Sequence, residues 1–496
     1  MEPWPRRSGL RADRAIAAAR YWSRVFWFPV LCLVVALIAY RQSSATNSEV
    51  ADRERVEIVG AQTPVLSARR LPNVLALPSQ AVQLQPAVLE ALNGVPPDTT
   101  CASVTNSRGT MVFGHNPNLL LTPASNQKVL LAHALLNHFP ADHRFGTFVA
   151  TDAQLIANVV QGNVWLIGTG DPVLATQNYV NSFVEQPQVH TKFEEIADQL
   201  KTAGITRIRG NVIADATRYD NVKFNPAWPN RYTFDGTVGP VGALVVNRGY
   251  ATFPPSGQEW SGSGPRTVSA DPAKDAATLL INLLRERGIE VEGTAQVGSV
   301  PQSPLFLAQQ FSPPLQDIIG QMLRNSDNTM AEMLFKELGV VRAGKGSNEG
   351  GAAALTAMLA EKGLAAPGMV IVDGSGLAAG NLVPCTTLNG ALAAAGRDST
   401  LVQQLAVGGL SGTLKDRLVG SPAQGQVFAK TGSLDTVSSL AGFVDTAKGE
   451  SISFSVIINA PGGDAERFKA LEDRLMVTLM DYPQGADVQQ LMPAGL

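Results

Sequence analysis

The sequence predicts an α+β fold in which helices pack on an antiparallel sheet and a β-rich region is inserted into the chain. Three observations carry this. Apolar, strand-like runs at 427–429, 437–445 and 452–459 follow one another near the C-terminus, with Lys448-Gly449 as a hairpin turn. Helical runs with clear start and stop residues occur before them. Between about 148 and 300 the texture changes to short β-like runs separated by Gly- and Pro-rich loops.

The elements follow in order. Residues 102–114 read as a hairpin, with Val104 and Met111-Val112-Phe113 as strand material and Asn106-Ser107-Arg108-Gly109 as the turn. Pro123 opens a helix that runs through Lys128 to about His138. In the inserted region Val159, Val164-Trp165-Leu166-Ile167 and 210–214 read as strands. A helix starts at Pro272, capped by Asp271, and is closed by Gly288. A long helix is expected from Leu315 to about Leu338, closed by Gly339. Alanine-rich helices follow over 351–362 and 386–395, and a last helix over about 465–481. The expected division is a basic leader over 1–24, an apolar segment over 25–40, a linker over 41–83, a catalytic body from 84–147 and 301–496, and the insert over 148–300.

A chain of 496 residues suits two or three domains. With 45% hydrophobic and 16% charged residues, most of it should be globular. The net charge of −3 argues against a nucleic-acid partner. The N-terminus carries Arg6, Arg7, Arg11, Arg14, Arg20 and Arg24 against Glu2 and Asp13, and then the apolar run from Val25 to Tyr40. That arrangement keeps the leader inside and places the body in the periplasm or on the outer face of the plasma membrane. The run serves as an uncleaved anchor or as a signal peptide cleaved near Ser43-Ser44-Ala45. Of three cysteines, Cys32 lies in this run. Cys101 and Cys385 could meet as a disulfide, but nothing in the sequence pairs them. No Cys/His spacing suggests a metal, and no cofactor is implied.

Three short motifs carry chemistry. In Ser125-Asn126-Gln127-Lys128, three-residue spacing puts a hydroxyl and an amine on one helix face. A serine needs a base to become a nucleophile, and a lysine serves if burial lowers its pKa. In Ser326-Asp327-Asn328, a second hydroxyl can relay a proton and an amide can hold the lysine and a substrate carbonyl. Lys430-Thr431-Gly432-Ser433 ends an expected strand, where cation and hydroxyls can bind a carboxylate. There the glycine lets a peptide approach the strand edge. Each motif alone also fits a plain cap or turn. Together and in this order they form the set found in penicillin-binding proteins and class A β-lactamases.

From about residue 85 to 480 the chain resembles the low-molecular-mass class C penicillin-binding proteins, the D-alanyl-D-alanine carboxypeptidase/endopeptidase family. Besides the motifs, the resemblance rests on 166–172 (Leu-Ile-Gly-Thr-Gly-Asp-Pro), Asp373-Gly374-Ser375-Gly376-Leu377, Gly412-Thr413-Leu414 and 440–444. The long interval between the first two motifs, about 200 residues, also fits this family rather than a β-lactamase. The resemblance implies a penicillin-binding/transpeptidase-like fold and an acyl-enzyme mechanism on peptidoglycan stem peptides. Ser125 would attack the bond between two terminal D-alanines. Lys128 would take its proton, and Ser326 would relay it to the leaving amine. Backbone N–H groups of Ser125 and Ser433 would form the oxyanion hole. Lys430, Thr431, Gly432 and Ser433 would bind the terminal carboxylate, Asn328 would orient substrate and lysine, and β-lactam antibiotics would acylate Ser125.

Two positions depart from the family. Where many members carry an acid shortly after Trp-Pro, this chain has Trp228-Pro229-Asn230-Arg231, with Asp235 later. Where many carry arginine after Ser-Gly-Leu-x, it has Ala378-Ala379. The expectation is weaker or different recognition of the charged end of a diaminopimelate side chain. A histidine-based hydrolase is disfavoured, since all five histidines lie in the first half and no Gly-x-Ser-x-Gly is present. The alternatives are a low-turnover peptidoglycan- or β-lactam-binding protein and an esterase or amidase on the same fold.

Overall fold

The computed structural model describes residues 32–41, 82, 84–254, 267–460, 462 and 465–483. The chain divides into two units, residues 1–75 and 76–496. In the first unit, residues 32–41 are helical. The basic leader, the start of the apolar run and most of the expected linker over 41–83 lie outside the described residues. Among the described residues, no helix is long and apolar enough to cross a membrane.

The second unit is built on a six-stranded antiparallel sheet. Its strands run Ala406–Val407, Val427–Leu434, Val437–Asp445, Ser451–Asn459, Thr100–Thr105 and Met111–His115 across the sheet. The central strand Val437–Asp445 is buried almost throughout instead of alternating, because both sheet faces are covered. Leu440, Val444, Phe454 and Val456 point to one side, where Phe468 and Leu475 of the helix Glu466–Leu479 pack with Leu84 and Val88. Ala441, Phe443 and Ile457 point to the other, against the helices Gln127–His138, Leu315–Asn325 and Asn328–Ala343. Small residues on that face let helices come close: Ser455 Oγ donates to the Cys385 carbonyl at 2.7 Å.

The expected long helix is two helices. It stops at Ser326, whose φ of 56° is left-handed and ends Leu315–Asn325. The Asp327 side chain then caps a new helix, accepting from the Met330 N–H at 2.8 Å. Ser326-Asp327 is thus a joint, and it turns Ser326 and Asn328 toward the sheet edge.

The inserted region carries a second, mixed sheet. Its order is Ala295–Val297, Val212–Asp215, Val164–Gly168, Gly146–Thr151 and Leu305–Phe311. The helices Glu194–Thr202 and Pro272–Glu286 bury Ile196, Leu200, Leu280 and Leu284 against Leu166, Val212 and Ala214. This is a sheet with helices laid on it, so β-rich describes only its strands. The layer also begins at Gly146 and closes at Phe311, beyond both ends of 148–300, because the Gly146–Thr151 and Leu305–Phe311 strands pair only with each other's sheet.

Cys101 and Cys385 are joined by a disulfide spanning 284 residues of sequence. Both are fully buried, and the bond ties the strand Thr100–Thr105 to the first residue of the helix Cys385–Ala395. Replacing both cysteines with alanine is expected to lower the unfolding free energy by about 2–4 kcal/mol. Urea unfolding checks this, and an unchanged midpoint would show that the bond adds nothing to stability.

Candidate active site

Residues Ala124–Asn126 form a single 3-10 turn that runs into the helix Gln127–His138. Ala124 holds a left-handed φ of 48°, uncommon for a residue with a Cβ, directly before Ser125. Lys128 follows one turn later and its side chain returns alongside the serine. Its Nζ lies 2.9 Å from Ser125 Oγ, 2.8 Å from Asn328 Oδ1 and 2.6 Å from the Ser375 carbonyl oxygen. The ammonium therefore donates to three acceptors. Once the amine is neutral, the serine contact can reverse, with the hydroxyl donating to the nitrogen lone pair.

The joint at Ser326 supplies the opposite wall. Asn328 is fixed at both ends of its amide, since its Nδ2 donates to the Thr237 carbonyl at 2.8 Å. Asp327, besides capping its helix, pairs with Arg248 at 2.6 Å in a largely buried ion pair. Lys430 comes from the strand Val427–Leu434, which carries the Lys-Thr-Gly-Ser motif. Its Nζ donates to Ser326 Oγ at 2.9 Å and to the Thr431 carbonyl at 2.7 Å. Thr431 Oγ1 donates to Thr413 Oγ1 at 2.7 Å. A Cβ at Gly432 would crowd Ser439 Oγ and lie 2.8 Å from the Pro123 carbonyl and 3.1 Å from the Ser125 nitrogen. Glycine is what lets this strand pass close to the serine backbone.

All the motif side chains converge. Ser125, Ser326, Asn328, Thr431 and Ser433 line one cleft of about 890 Å³, and Lys128 and Lys430 lie beneath it, fully buried. Burial lowers the Lys128 pKa to about 8, against the opposing pull of Asp373, Glu332 and Asp327. Burial, with Lys128 adding to it, holds Lys430 well below the usual lysine range. A buried amine near neutrality beside a hydroxyl can act as a general base, and a second lysine–serine pair can pass a proton onward.

In the sequence the Asp373–Leu377 stretch is only a mark of resemblance, with no role, and Glu332 is not singled out as its anchor. Ser375, on the Asp373–Leu377 stretch, gives Lys128 its third acceptor. Asp373 accepts from the Gly376 and Ala378 N–H groups and from Trp228 Nε1, each at 2.7 Å. Glu332, one helical turn after Asn328, accepts from the Ser375 N–H at 2.7 Å and the Gly374 N–H at 3.1 Å. The available signals were the Glu332 spacing from Asn328 and the glycines around Ser375. At the cleft's far end Arg231 pairs with Asp435 at 2.6 Å, both more than half exposed, while Ala379 is exposed and Ala378 buried. Among the described residues, no group of three or more His, Cys, Asp or Glu is placed to hold a metal ion.

Comparison with known proteins shows the family. The sequence profile of the D-Ala-D-Ala carboxypeptidase 3 (S13) family matches residues 100–256 and 256–481. The chain belongs to this family. It is 29% identical over 482 residues to a D-alanyl-D-alanine carboxypeptidase of Actinomadura sp. (strain R39), covering 82% of this chain and 85% of the relative. It is 30% identical over 370 residues to carboxypeptidase DacB of Mycolicibacterium smegmatis, covering 71% and 75%. The crystal structure of penicillin-binding protein 4 (dacB) from Haemophilus influenzae superposes with a TM-score of 0.68 at 22% identity, covering 80% of this chain and 99% of that one. That likeness shows the penicillin-binding fold.

The close approach at Gly432 gives a test. Gly432→Ala should push the strand off the Ser125 backbone and cut the rate of penicillin acylation by about 100-fold or more, the scale of a lost oxyanion donor. Time courses with fluorescent penicillin read this, and wild-type kinetics would exclude the strand edge as one wall of the reacting centre.

Proposed function

We propose that this protein is a serine D-alanyl-D-alanine peptidase, acting as carboxypeptidase, cross-link endopeptidase or both on peptidoglycan stem peptides. The observation that carries the reading is the Lys128 amine, buried within 2.9 Å of Ser125 Oγ in a cleft that also holds Ser326, Asn328 and Thr431. In this reading Ser125 attacks the carbonyl between two D-alanines as Lys128 takes its proton. The backbone N–H groups of Ser125 and Ser433 stabilise the oxyanion. Ser326, in contact with Lys430, passes a proton to the departing amine. Lys430, Thr431 and Ser433 receive the terminal carboxylate, and Asn328 keeps the lysine and substrate aligned. Water then hydrolyses the acyl-enzyme. β-Lactams enter by the same attack and leave slowly, a reading supported by the solved complex of the Haemophilus influenzae protein with a β-lactam. Export of the catalytic body, with or without a retained membrane anchor, belongs to the same reading and rests on the arginine-rich leader and apolar run.

The wild type should release D-alanine from a diacyl peptide ending in D-Ala-D-Ala and should be labelled by fluorescent penicillin. Ser125→Ala should lose labelling and reduce turnover by about 10³-fold or more. Labelling without D-alanine release would favour a low-turnover binder, and ester turnover without D-alanine release would favour an esterase.

The Arg231–Asp435 pair stands where a family acid is replaced and no arginine follows at Ala379. A free diaminopimelate end meets charges that already neutralise each other. Rates on stem peptides with free and capped side-chain ends should agree within about fivefold, since an exposed pair contributes at most about 1 kcal/mol. A strong preference for the free end, measured as kcat/KM, would contradict this.

A further inference from the structure

Lys128 Nζ has three partners, and only two of them are side chains of the sequence motifs. The third is the Ser375 carbonyl, at 2.6 Å the shortest of the contacts. Its placement is fixed from both sides by buried carboxylates. The same peptide group that presents this carbonyl donates its N–H, that of Gly376, to Asp373 Oδ1 at 2.7 Å. The two preceding N–H groups, of Ser375 and Gly374, both go to Glu332 Oε1. Gly376 has a φ of 84°, and a Cβ there would collide with the Ala124 carbonyl, so the loop also rests on the turn that carries Ser125.

Glu332 is fully buried, and no other side chain of the helix Asn328–Ala343 reaches this loop backbone through a hydrogen bond among the described residues. It sits four residues after Asn328, so one helix face supplies two supports for the same amine, one direct and one through a carbonyl. Its Oε2 is buried without a hydrogen-bond partner. We propose that Glu332 is a positioning residue for the acylation step: it fixes the Ser375 carbonyl, which with Asn328 holds Lys128 Nζ on Ser125 Oγ. This inference rests on the peptidase reading above.

Charge is the competing role, and several groups face the lysine. Asp327 lies on the cap, Glu332 on the helix, Asp373 on the loop and Lys430 on the strand. Burial, with Asp373 adding, raises the Glu332 pKa to about 8, so at neutral pH the carboxyl is mostly uncharged and acts by its reach and its acceptor oxygen.

Three variants separate the roles. Glu332→Gln keeps the length and the acceptor without a charge. Glu332→Asp keeps the acid but withdraws it by one methylene, and Glu332→Ala removes both. The readout is the second-order rate of acylation by fluorescent penicillin per titrated active site, measured across pH, with thermal stability recorded alongside. Positioning predicts that Gln stays within about threefold of wild type with the acid limb of its pH profile unmoved. Asp and Ala should then fall about 10- to 100-fold, the cost of misplacing a reacting group by about 1 Å. Asp near wild type with Gln impaired, or Gln active with its acid limb moved down, would assign the role to charge and overturn the proposal. Full per-site rates in all three, with only stability lowered, would also overturn it. If Ala does not fold, the Gln and Asp pair decides. Failure of the wild type itself to be acylated would sink the peptidase reading instead.

Discussion

The site depends on keeping one amine in a place where amines are poorly tolerated. Lys128 is fully buried, and removing an ammonium from water costs several kcal/mol unless partners compensate. Three acceptors within 2.9 Å and nearby acids supply that compensation, and they leave the pKa near 8 instead of collapsing it. Fewer partners would expel the lysine or make it permanently neutral; a closer full negative charge would make it a permanent cation. Lys128 in turn adds to the burial that holds Lys430 well below the usual lysine range.

The fold can be understood as the means of bringing those partners together. Ser125 and Lys128 share one helix, which needs only local spacing. Asn328 needs the helix broken at Ser326, and the left-handed serine with the Asp327 cap provides the break. Lys430 needs a strand that passes within a glycine's thickness of the Ser125 backbone, and Gly432 allows it. The Ser375 carbonyl needs a loop held by acids on two other elements. The disulfide fastens the sheet to the helical side, on which the nucleophile helix packs.

The three motifs were legible because their chemistry is carried by local tripeptides and tetrapeptides in a fixed order. The sheet was legible from its C-terminal hairpins, whose turn at Lys448-Gly449 has the positive φ that glycine supplies. What was hidden depends on long-range meetings. Cys101 and Cys385 pair across 284 residues, and no spacing rule reaches that far. Arg231 meets Asp435 across 204 residues, so a charge lost at one position could not be seen to be matched at another. Glu332 sits within a helix where a lone acid ordinarily reads as a solvated surface residue, and only burial reveals its work. The helix through 315–338 read as continuous because apolar spacing resumes on both sides of the two-residue break at Ser326-Asp327. The two flanking strands of the inserted layer, Gly146–Thr151 and Leu305–Phe311, lie next to helices of the first core in sequence while pairing with each other in space, and no local spacing shows that pairing.

The site stands on the state of one amine, and heteronuclear NMR of lysine-labelled protein observes it directly. The Lys128 Nζ resonance, assigned by its loss in Lys128→Arg, should titrate with a midpoint near 8. A midpoint at the ordinary value of 10.5 would mean a solvated, permanently charged lysine and would contradict the buried-base account of this site.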